Sequence, residues 1–66
     1  MRASDEAIQK TIDLARFMVQ LADEGDRVRE DSHCGALYGV LRDSGYKIMR
    51  MASDERERHI SKGWWK

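Results

Sequence analysis

The 66-residue chain contains no proline, and its only cysteine is Cys34. The first absence removes the residue that most reliably ends a helix, and the second excludes an intrachain disulfide framework. Both matter in a chain this short, which hides only about 60% of its unfolded surface and needs a further support, either a metal or a partner. The lone thiol suits a reducing compartment, and the polar stretch from Met1 to Lys10 lacks the apolar core of a signal peptide, so the cytoplasm is the expected location.

Long apolar runs are missing as well. The longest uncharged stretch, residues 32–41, holds two glycines and falls far short of the ~20 apolar residues a membrane span requires, which predicts no membrane association. Net charge is absent too: twelve basic residues balance twelve acidic ones, removing the long-range attraction that nucleic acid or anionic lipid would need. The balance is uneven along the chain. Residues 1–33 carry five basic and eight acidic side chains and residues 34–66 carry seven and four, so antiparallel packing of the halves brings complementary charge together.

What is present is helical patterning, with 36% of residues charged. Ser4 is the expected N-cap of a first helix over about residues 4–24, with Asp5 and Glu6 in the turn where acidic groups suit the helix dipole. Two adjacent seams of heptad spacing follow: Ile8, Ile12, Ala15, Val19 and Ala22, and beside them Ala7, Thr11, Leu14, Met18 and Leu21. With Phe17 they cover about 220° of the circumference at 100° per residue, leaving a narrow polar strip of Asp5, Gln9, Asp13, Arg16, Gln20 and Asp23. One neighbouring helix cannot cover both seams, so a second copy is expected to supply the rest.

Glu24-Gly25-Asp26 reads as the end of that helix, because glycine tolerates the left-handed conformation common at C-terminal caps. The second helix is expected over about residues 32–61, starting with Ser32 as N-cap after an acidic linker in which Val28 packs locally. Its seam is Cys34, Tyr38, Leu41, Gly45, Ile48 and Ala52, flanked by Leu37, Ser44 and Met51. Asp43-Ser44-Gly45 reads locally as a turn and is a candidate break, although the apolar period runs through it in register. At ~45 Å against ~30 Å for the first helix, the second is expected to project beyond the hairpin.

The pattern predicts one all-α domain over residues 1–66, an antiparallel two-helix hairpin that dimerises into a four-helix bundle, with residues 62–66 as a tail. Gly35, Gly39 and Gly45 each cost ~1 kcal/mol in a helix interior relative to alanine, and close helix packing is the expected reason for them. Glu30 and His33 have the Glu-x-x-His spacing used in ferritin-like di-iron bundles, where one metal is held by both side chains. The first helix places no glutamate in its apolar seams to complete such a centre. Glu55 and His59, four apart on the continuation of the second seam, form either an ordinary solvated pair or a further candidate metal or pH-sensitive contact.

No residue set suggests nucleophilic catalysis. Cys34 on an apolar seam reads as a small buried hydrophobe, and no acid or second histidine is spaced to activate it. The tail Gly63-Trp64-Trp65-Lys66 puts two tryptophans at a polar terminus, and tryptophan is over-represented at binding hot spots; it either folds back on the chain or docks on a partner protein. The favoured function is a non-enzymatic homodimeric interaction or accessory module, with Trp64 and Trp65 meeting a protein partner. The alternative is a metal-binding bundle for iron or zinc, with a ferritin-like di-metal or a Cys/His site, that uses Glu30, His33, Glu55 and His59 or the adjacent His33 and Cys34. Nucleic acid is disfavoured, although Arg42, Lys47 and Arg50 could touch phosphate in a dimer.

Overall fold

The structure is a computed structural model that describes residues 2–65; Lys66, the last residue of the expected tail, and Met1 lie outside it. Two antiparallel helices, α1 (Ala3–Val28) and α2 (Ser32–Ser61), form a hairpin with extents of 48 × 15 × 13 Å. Among the described residues there is no strand, and no helix is long and apolar enough to cross a membrane.

α1 begins earlier than Ser4. Arg2 is the N-cap, in extended conformation and without a side-chain cap bond, and its carbonyl accepts from the backbone N–H groups of Asp5 and Glu6. Ser4 therefore lies inside the first turn, where the acidic Asp5 and Glu6 favour the dipole. The helix also runs past Gly25, the expected terminator, to Val28. Gly25 is helical and buried because the ring of Tyr38 fills the space a side chain would need, so its missing Cβ serves close approach and no end cap. Arg29, with φ −64° and ψ 145°, ends the helix instead. Val28 does not pack locally; it is exposed.

Residues 29–31 make the turn. Asp31 is the N-cap of α2, one residue before Ser32, and its Oδ1 accepts the Cys34 backbone N–H at 2.9 Å. That bond, with a further contribution from the Cys34 side chain, lowers the pKa of Asp31 below the ordinary aspartate value, since both bonds favour the ionised carboxylate. α2 passes through Asp43-Ser44-Gly45 without a break. Gly45 is buried there, and a Cβ on it would lie 2.9 Å from Val19 Cγ2 and 3.1 Å from the Ala15 carbonyl oxygen. A local turn signal is thus overridden by close helix–helix contact.

The interface is built of small residues. The buried hydrophobic side chains are Ile12, Ala15, Ala22 and Ala52, with Ile8, Val19, Leu41 and Ile48 half-buried beside them. Near the turn Arg42 of α2 reaches across to Asp23, at 3.0 and 3.1 Å, and to Asp26, joining the acidic first half to the basic second half. Asp26 first and Asp23 second raise the Arg42 pKa, because their hydrogen bonds favour the charged guanidinium.

α2 does not overhang. α1 has 26 residues and α2 has 30, and Asp5 in the first turn of α1 meets His59 in the last turn of α2. Gly63, at φ +76°, then turns the chain back: Trp64 N–H donates to the His59 carbonyl and Lys62 N–H to that of Arg58, a left-handed glycine cap.

Candidate functional site

Two features stand out once the hairpin is closed: an uncovered apolar face and a polar cluster at the open end. The face follows from the two seams of α1. The seam through Ile12, Ala15 and Ala22 is used up against α2, whereas Leu14, Phe17 and Leu21 remain 57%, 56% and 40% exposed. On α2 the flank through Leu37, Val40 and Met51 is likewise exposed, at 59%, 66% and 60%. Ala7, Ile8 and Thr11 of α1 and Ile48, Met51 and Ala52 of α2 line an open, almost wholly apolar groove of about 350 Å³ between the two. Helix geometry puts Thr11, Met18 and Leu14 of α1 on the side from which Leu37 and Met51 of α2 project, so the groove and these side chains belong to one surface.

The open end is chemically different. Asp5 is fully buried although it is an aspartate; its Oδ1 contacts His59 Nδ1, and its Oδ2 has no hydrogen-bond partner among the described residues. The His59 side chain is 12% exposed. The Trp64 ring meets the His59 ring edge-on, with centroids 5.0 Å apart and planes at 82°. The Arg2 guanidinium lies 4.3 Å from the Trp64 ring centroid and the Lys62 ammonium 4.4 Å from it. Burial of an aspartate is tolerated only with a partner of this kind, and tryptophan attracts cations through the negative face of its ring.

The structure separates the candidate metal residues. Glu30 lies in the turn, outside α2, and His33 is exposed in the first turn of that helix, at the far end of the hairpin from Glu55 and His59. Glu55 and His59 do not pair with each other: Glu55 takes Arg58 and His59 takes Asp5. Among the described residues no three His, Cys, Asp or Glu side chains come together as a metal could use them. Cys34 is a free, half-buried thiol near the turn.

The three helical glycines have three different surroundings. A Cβ on Gly45 would strike α1, one on Gly35 would meet the Arg29 side chain, and one on Gly39 would meet nothing within 4 Å. Trp64 and Trp65 are both half-buried.

Asp5 is the residue that sequence reasoning placed wrongly, on the polar strip. It stands one heptad before Ile12, on the inner seam itself, and His59 stands one heptad beyond Ala52 on the seam of α2. Two complementary polar residues on facing seams were therefore the available signal. Comparison with protein-family models, curated proteins and solved structures finds no match to this chain.

Proposed function

We propose that this chain is a non-enzymatic interaction module that works as a homodimer, two hairpins packing their apolar faces into a four-helix bundle. The observation that carries the reading is the exposure of Leu14, Leu21, Leu37 and Met51 on the side of the hairpin that holds the apolar groove, which Met51 itself lines. Large apolar surfaces of this kind on small proteins mark association sites.

Three features favour a second copy as the occupant. The hairpin is under-covered: its accessible surface is 4852 Å², where a compact monomer of this mass would have about 4,300 Å². The net charge is zero, so two copies meet without mutual repulsion. The face is also two helices wide, and laying it on its own image gives each α1 the second and third helical neighbours its wide apolar surface calls for.

The test is the solution mass of the full chain by light scattering over a range of concentrations, with metal content measured on the same sample. A metal-free dimer is the expected result. The double variant Leu14→Lys/Leu21→Lys is expected to stay helical and become a monomer, since neither side chain contributes to the buried core. A wild-type chain that is monomeric at every concentration overturns the reading, and stoichiometric iron or zinc replaces it with metal binding through Glu30, His33, Glu55 or His59.

A further inference from the structure

We propose that Asp5, His59 and Trp64 form a proton-controlled clasp that holds the tryptophan tail against the open end of the hairpin. The clasp uses none of the groove's large apolar side chains.

The Asp5 carboxylate is the centre of the clasp. It is removed from water on α1, one oxygen contacts the His59 ring, and the other has no partner among the described residues. A buried carboxylate in that position needs a countercharge. Among the described residues, Asp5 is in contact with His59, Arg2 and Lys62 lie on the Trp64 ring that meets it, and Glu55 and Arg58 are its neighbours along α2. Glu55 and Arg58 satisfy each other, and Arg2 and Lys62 are spent on the Trp64 ring. Among the described residues, His59 in its imidazolium form is the cation in contact with Asp5.

The same imidazole carries Trp64. Its ring meets the indole edge-on, and the Gly63 turn fixes Trp64 in that place through the bond from Trp64 N–H to the His59 carbonyl. One proton thus has two consequences. While His59 is protonated, the first turn of α1, the last turn of α2 and the tail are joined, with positive charge from His59, Arg2 and Lys62 arranged around a single indole. When the proton leaves, Asp5 retains its charge beside a neutral ring, and the indole loses one of its three cations.

The clasp is closed while His59 holds its proton and loosens when the proton leaves, releasing Trp64 as an exposed aromatic side chain suited to docking on another protein.

The experiment uses the full chain carrying Trp65→Phe, which leaves Trp64 as the only tryptophan. Its emission maximum and its quenching by acrylamide are followed from roughly pH 5 to roughly pH 8.5, the interval in which histidine changes charge. The ring protons of both histidines are followed by NMR in the same samples, with exposed His33 as the internal reference. The expected result is a red shift and a rise in quenching that follow the His59 ring signals. His59→Gln should abolish the transition, Asp5→Asn should flatten it, and His33→Gln should leave it in place. A Trp64 signal that is flat with pH, or a transition that is lost in His33→Gln, overturns the proposal. So does an unchanged transition in folded His59→Gln; should that variant fail to fold, Asp5→Asn and His33→Gln decide. Light scattering at both ends of the pH range separates clasp opening from any change in oligomeric state.

Discussion

The two faces of α1 are built in opposite ways. The covered face is made of Ile12, Ala15 and Ala22 with Ile8 and Val19 at its edges; the uncovered one carries Leu14, Phe17 and Leu21. On average the outer side chains are the larger. Small residues on the inner face let two backbones approach until the Ala15 carbonyl lies beneath Gly45, and that contact is governed by shape. The outer face gains little from shape within a single hairpin, and its side chains are stabilising only when something apolar covers them. The contrast assigns the inner face to the integrity of the hairpin and leaves the outer one free for the association proposed above.

The strongest way to break the inner face is Ile12→Ala, which should cost about 2–5 kcal/mol in urea unfolding, because it empties the largest buried apolar side chain. The loss should be the same at low and high protein concentration if the face belongs to the hairpin alone. Gly45→Leu comes next, at about 1–3 kcal/mol, since the new side chain has to displace Val19 and the α1 backbone. Gly39→Ala sharpens the point with the opposite sign: with open space at Gly39 and helical backbone around it, thermal melts should show a gain of about 0.5–1 kcal/mol. On the outer face Leu21→Ala should change the stability of the dilute hairpin by no more than about 0.5 kcal/mol, yet reduce association at high concentration, as sedimentation would read.

The smallest expected effect concerns the turn and is confined to acid solution. The Asp31 carboxylate, with its pKa lowered by the Cys34 N–H, contributes its cap above the ordinary aspartate range and loses it as the pH falls through the lowered value. Amide exchange at Cys34 should accelerate below that point in the native chain and show no such acid dependence in Asp31→Asn, whose amide oxygen caps without ionising.

The fold was largely legible in the sequence, because seams seven residues apart on two long proline-free segments leave a hairpin as the simple solution. The end of α2 near Ser61 and its continuity through Gly45 followed from the same periodicity. The errors came from reading residues locally. Ser4 and Gly25 have the chemistry of caps, but the chain uses Arg2 and Arg29 at those boundaries, and the space at Gly25 is claimed by Tyr38, thirteen residues away. The expected overhang disappeared with that error, since a longer α1 reaches the end of α2. Of the candidate site, the apolar face was visible as the second seam, while the Asp5–His59 contact, 54 residues apart in sequence, depended on a register that only the folded hairpin fixes.

That register has a kinetic side. Gly25 under Tyr38, Asp23 with Arg42, Val19 against Gly45 and Asp5 with His59 are rungs of one ladder, each farther from the turn than the last. Every rung formed shortens the loop the next must close, so the entropic cost of bringing distant residues together is met in small steps from the Asp31 cap outward. Such a chain is expected to zip rapidly, and to unzip from the other end. The outermost rung, where Asp5 meets His59, is thus the first to fray in the native state, and hydrogen exchange should rise in a gradient toward it from the turn.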